Sequence, residues 1–188
     1  MSDAFITESG MTFGPHAEGY RFDIEQSATL SQLNKRAKTH EGIKPAEFLL
    51  LRTDNGKPTI WIIEAKSSAP HPRSQEDFSQ YVTDIKEKFV NSLDLFMALY
   101  LNRHPTSDEL PTAFRSLDMA SVDFRLALII KGFDKAWLPP LQDAFSKALK
   151  LTVKIWALPP ASVLVINDSI ARAYGLLKPA TPPYLDKR

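Results

Sequence analysis

The stretch Pro45-Ala46-Glu47-Phe48-Leu49-Leu50-Leu51-Arg52-Thr53-Asp54-Asn55-Gly56-Lys57-Pro58-Thr59-Ile60-Trp61-Ile62-Ile63-Glu64-Ala65-Lys66 decides the fold. Two apolar runs flank Asn55-Gly56, the strongest short-range hairpin signal, because both loop residues of a type I′ turn need positive φ. A two-residue loop there pairs Asp54 with Lys57 and fixes the register outward. Glu47 then lies opposite Glu64, and Pro45 opposite Lys66. Side chains alternate faces along a strand, so Glu47, Leu49, Leu51, Ile60, Ile62, Glu64 and Lys66 share one face. Like charges directly opposite each other are destabilising, so the Glu47–Glu64 pair calls for a cation between them. Phe48, Leu50, Trp61 and Ile63 make the other face apolar too, the pattern of an interior strand pair covered on both sides.

Working outward from the hairpin, Phe5–Thr7 and Met11–Phe13 read as short strands, the second broken at Gly14-Pro15. Tyr20, Phe22 and Ile24 alternate with Arg21, Asp23 and Glu25, which predicts a strand with one polar face ending at Glu25. Ser27 is a candidate N-cap for a short helix over 28–38, with Leu30 and Leu33 inward. Lys35, Arg36, Lys38 and Lys44 make this segment locally basic, either as a solvated helix end or as a phosphate contact.

Downstream, Ser74 and Asp77 resemble a capping box ahead of a long helix reaching about Arg103. Its buried stripe is Phe78, Tyr81, Val82, Ile85, Phe89, Leu93, Phe96 and Tyr100. Lys88 projects from near that stripe; it either snorkels to solvent or delivers positive charge to the acidic end of the hairpin. After a polar connection over 104–121, Val122–Lys131 reads as an interior strand. A helix over 141–150, strands over 151–157 and 162–166, and a last helix over 169–176 capped by Asp168 complete the order. The whole predicts an α/β domain spanning 1–188, a central mixed β-sheet flanked by helices, with 179–188 as an extended tail.

Composition narrows the function. The chain has 188 residues, 44% hydrophobic and 24% charged, with a net charge of +1 that neither demands nor excludes nucleic acid. With no cysteine, disulfides, thiolate zinc sites and cysteine nucleophiles are excluded. His16, His40, His71 and His104 show no ligand spacing, and no P-loop or Gly-x-Gly-x-x-Gly is present. Trp61, Trp137 and Trp156 are expected in the core. No apolar run approaches the about 18 residues of a membrane span, and no signal-peptide pattern follows Met1, so a cytoplasmic protein is the expectation.

An acidic-x-Lys tripeptide occurs at Glu64-Ala65-Lys66 and at Asp84-Ile85-Lys86. The second falls inside the long helix, where i and i+2 do not share a face, and is a decoy. The first ends an interior strand with an acid opposite. On Pro45-Ala46-Glu47, the hairpin, Glu64-Ala65-Lys66-Ser67-Ser68 and the helix that follows, the chain resembles the PD-(D/E)xK nuclease superfamily, with its restriction-endonuclease-like core. The resemblance covers about residues 20–103 by motif and the rest by element order. It departs from the family in the Ala46 inserted between Pro45 and the acid, and in Glu47 where Asp is commoner.

That resemblance implies a metal-dependent deoxyribonuclease, in a setting of restriction or phage defence. Glu47, Glu64 and the Ala65 carbonyl would hold Mg2+ or Mn2+, and Lys66 would serve the attacking water. Oxygen donors of this kind suit a hard divalent cation. An upstream acid would complete the set; Glu25 is the favoured candidate and Glu8 the alternative, either being otherwise a solvated carboxylate. Gln80 matches a glutamine that some relatives carry near the site. The implied partners are nucleic acid, DNA first, and either a second copy of the chain or a targeting protein. The reading set against it is a non-catalytic binding or scaffold subunit that keeps the nuclease fold.

Overall fold

The computed structural model describes residues 4–36 and 42–179. Lys38, His40 and the tail beyond Pro179 lie outside the described residues. Strands β1 (Ala4–Glu8) and β2 (Met11–His16) form an antiparallel hairpin apart from the main sheet. Its turn, Ser9-Gly10, has φ of 49° and 71°, the left-handed pair that a tight hairpin needs. Strand β2 runs on through Gly14-Pro15 instead of stopping there. The C-terminal segment lies alongside it, with Gly14 N–H donating to Leu176 O and Lys178 N–H to Thr12 O.

The strand expected up to Glu25 is only β3 (Arg21–Phe22). Asp23 turns back to make a two-pronged ion pair with Arg21, at 2.8 and 3.1 Å, and Ile24–Gln26 coils into one 3-10 turn. Helix α1 (Ala28–Arg36) starts as predicted, with the Ser27 hydroxyl accepting from Leu30 N–H.

Strands β4 (Phe48–Asp54) and β5 (Lys57–Lys66) pair in the predicted register, from Asp54 with Lys57 to Phe48 with Ile63. Asn55 and Gly56 sit at φ 50° and 79°. Glu47 N–H donates to Ile63 O, the residue already paired with Phe48, so the predicted register slips at Glu47 and does not run on to a Glu47–Glu64 pair.

Helix α2 (Gln75–Tyr100) follows, then a short α3 (Thr112–Arg115) and strand β6 (Asp123–Ile130). Ser74 caps α2 by position only, since its side chain makes no capping bond. Helices α4 (Leu138–Ala148) and α5 (Lys150–Ile155) lead to β7 (Val163–Asn167) and α6 (Asp168–Ala173). The main sheet runs β3-β4-β5-β6-β7, antiparallel up to β5 and parallel from β5 onward.

Two expectations in this half are corrected. Residues 151–157 are not a strand: Leu151 and Ile155 are 72% and 80% exposed on α5. Leu149, Val153 and Trp156 pack inward at helical spacing. Both periods were present in the sequence, and the one carrying Trp156 onto Phe124 prevails. The cap of α6 is Asn167, whose side chain accepts from Ile170 N–H, while Asp168 accepts from Gly132 N–H.

Each face of the sheet has its own core. Leu49, Leu51, Ile60 and Ile62 pack with α1, α2 and α4. Phe48, Leu50, Trp61 and Ile63 pack under the β1-β2 hairpin and α6, with Phe13 edge-on to Phe48 at 5.2 Å. Trp61 is buried as expected and Trp156 partly so, but Trp137 is 41% exposed. At the sheet edge Gln142 of α4 bonds to Val163 O and Val165 N–H, standing in for a further strand.

A buried relay ties α2 to the start of β4. Ala46 N–H donates to the Ser92 hydroxyl at 2.8 Å, and that hydroxyl donates to Lys88 O. Ser92→Ala leaves the Ala46 N–H unpaired, so the unfolding free energy should fall by about 1–3 kcal/mol. Urea denaturation with an unchanged m-value is the check, and a loss within error would show that the relay does not hold the strand.

Candidate active site

Glu64 and Lys66 lie at the C-terminal end of the central strand β5, and Glu47 immediately precedes the neighbouring strand β4. Strand β5 is also where pairing switches from antiparallel to parallel. Glu64 is wholly buried. A carboxylate there needs positive charge and hydrogen bonds to stay ionised. Lys66 Nζ lies 2.7 Å from Glu64 Oε1. From α2, Lys88 Nζ lies 2.9 Å from the same oxygen, donates to Glu64 Oε2 at 3.1 Å, and stands 4.0 Å from Glu47 Oε1. Of its two fates, Lys88 takes the one that brings charge to the acids. It is the cation that the two glutamates call for. Burial alone would lower its pKa, but the charge of Glu64 outweighs this and holds it above the usual lysine value.

Glu25 lies in the 3-10 turn after β3, not at the end of a strand, and is close enough to Glu47 to act on its pKa. Burial first, then the neighbouring Glu25 and the charge of Glu64, push Glu47 up to about 8. Glu8, at the end of β1, is close enough to feel Glu25 and Glu64; burial first, then those charges and Asp23, raise its pKa. Both upstream candidates are thus near enough to the pair to be coupled to it electrostatically.

Other candidates fall differently. The Ala65 carbonyl accepts a bond from the Ser9 hydroxyl at 2.9 Å, a contact with no sequence signal beyond the tight turn that presents Ser9. Gln80 points along α2 to Asp84 at 2.7 Å. Asp84 and Lys86 of the decoy tripeptide lie on α2, and neither makes an ion pair with Glu64. A groove of about 570 Å3 opens beside the site, lined by Lys44, Lys66, Gln80, Tyr81, Lys88 and Asn91 among others. Its outer wall is pinned by Asn34, whose amide bonds both N–H and O of Ile43, and by Asn91 donating to Lys44 O. Burial and the nearby Glu64 raise the pKa of Tyr81, whose hydroxyl has no hydrogen-bond partner in this lining.

Among the described residues no three histidine or acidic side chains already converge as a metal shell. The donors are nonetheless of the right kind for a hard cation. Glu47 and Glu64 both stand within 4.0 Å of Lys88 Nζ, and buried Glu64 Oε1 has two ammonium groups in range but no hydrogen bond of proper direction. Among the described residues no helix is long and apolar enough to cross a membrane.

Comparison with protein-family models, with curated proteins and with solved structures finds no match for this chain. The class that fold and site define is therefore an α/β protein with a five-stranded mixed sheet and a buried acid–lysine cluster at the C-terminal end of its central strand.

The folded chain holds the Glu47 proton up to about pH 8, whereas the unfolded chain releases it near 4.5. The stability this proton contributes is full below 4.5 and is lost as pH rises toward 8. Glu47→Gln, which stays neutral, should flatten that decline. Unfolding free energies of both proteins from pH 5 to 8 provide the check, and parallel profiles would refute the shift.

Proposed function

We propose that this protein is a metal-dependent nuclease that hydrolyses phosphodiester bonds of DNA, with the restriction-endonuclease-like core its sequence resembles. One observation carries the reading: the Glu47 and Glu64 carboxyl groups converge on Lys88 Nζ, at 4.0 and 2.9 Å, with Lys66 two residues along from Glu64 and 2.7 Å from it. Glu47 and Glu64 would hold Mg2+ or Mn2+, with Glu25 as the third acid. The metal, when bound, supplies Lewis-acid polarisation of the phosphate and lowers the pKa of a bound water.

The chain's own side chains have distinct parts. Lys66, less buried than Glu64 and lining the groove, orients the attacking water and offsets negative charge developing on the phosphate. Glu64 fixes the Lys66 ammonium in place. Glu47, whose pKa burial and its acidic neighbours push up to about 8, would have to release its proton to serve as a ligand. Lys44 and Asn91 line the groove through which a nucleic-acid strand would approach. Restriction or phage defence is the setting that the resemblance suggests. Cutting both strands calls for a second copy or a targeting partner.

A non-catalytic binding subunit is the second reading, favoured by the two lysines that already neutralise Glu64. Cleavage assays on circular and linear, single- and double-stranded DNA and on RNA, with Mg2+ or Mn2+, separate the two. Lys66→Ala should reduce metal-dependent cleavage by about 10²–10⁴-fold with the circular dichroism spectrum unchanged. Undiminished cleavage by purified Lys66→Ala protein would remove this mechanism.

A further inference from the structure

Lys88 stands out among the groups that the proposed chemistry leaves without a task. Its ammonium contacts both oxygens of Glu64 and lies 4.0 Å from Glu47 Oε1, the place from which a divalent cation would bridge the two acids. A divalent ion and an ammonium held by the same carboxylate oxygens would repel strongly at that separation. The two cannot share the position.

We propose that Lys88 is the resident cation of the site: it competes with a divalent metal for Glu47 and Glu64, and metal entry requires it to swing aside. This rests on the metal-dependent reading above. Three features make the exchange feasible. The lysine stem is long and flexible, and its head lines the groove beside the site. Asp84 lies one helical turn back on α2 and lines the same groove, at the i, i+4 spacing that pairs an acid with a lysine. Asp84 now accepts only from the Gln80 side-chain amide, so it can receive the ammonium. The backbone of Lys88 need not move, since its carbonyl stays tied to Ser92 and through Ser92 to Ala46. The exchange is therefore a side-chain rotation on a fixed helix.

The test is Mn2+ titration by calorimetry, at neutral pH, of the wild type, Lys88→Met and Lys88→Arg, with thermal unfolding followed in parallel. Removing the charge in Lys88→Met should tighten Mn2+ binding by at least about tenfold. Its thermal midpoint should lie below the wild type without Mn2+ and rise further on adding it. Lys88→Arg, which keeps the charge, should gain no affinity. If Lys88→Met is unfolded without metal, millimolar Mn2+ should restore its native circular dichroism spectrum; failure to do so overturns the proposal. Equal or weaker Mn2+ binding by Lys88→Met overturns it while leaving the nuclease reading intact, as does an equal gain in Lys88→Arg. Binding by Lys88→Met alone supports it and counts against the wild type as a metal-dependent enzyme. No binding by any of the three overturns both.

Discussion

Glu64 has no exposed surface, and a carboxylate so placed stays ionised only with positive charge pressed against it. Much of the surrounding architecture follows from that need. Lys66 answers from the same strand, two residues on, because period-2 alternation puts it on the same face. Lys88 answers from the middle of α2, which fixes the rotation of that helix against the sheet. The Ser92 hydroxyl then locks the same turn of α2 to Ala46, immediately before Glu47. Strand end, facing strand and covering helix are thus tied together through one buried acid.

The second acid lives under a different regime. Glu47 is partly buried and its pKa is raised by burial and by the neighbouring Glu25 and Glu64, while Glu64 is held by ammonium groups. Adjacent carboxylates with unlike environments divide their tasks, one kept charged and one poised to change its protonation. The division comes from topology: Glu64 sits at the end of the central strand under α2, whereas Glu47 looks toward the 3-10 turn that carries Glu25.

How much of this was legible in the chain varies with the kind of signal. Asn55-Gly56 set the register, which holds from Asp54–Lys57 to Phe48–Ile63 and separates the two apolar faces. Those are local rules with little competition. The register slips at Glu47, whose N–H bonds Ile63 O in place of a step opposite Glu64. Glu25 was found for a reason the structure revises: the Arg21–Asp23 ion pair ends the extended run early, and such a contact leaves no mark on hydrophobic alternation. Residues 151–157 carried two periods at once, and only packing against Phe124 decided between them. Ser9 and Ser92 were invisible, because a hydroxyl's partner depends on which distant backbone group comes within reach. Lys88 was open between solvent and site until the helix's rotation was known.

The amide of Gln142 has a consequence for how this chain can meet another. By occupying Val163 O and Val165 N–H, it spends the main-chain groups that an incoming β-strand would need at β7. A second polypeptide therefore cannot extend the sheet there without first evicting a side chain that belongs to α4. Association at this edge has to be written in side-chain complementarity, where single substitutions can tune or abolish it, and not in the sequence-blind grammar of backbone pairing.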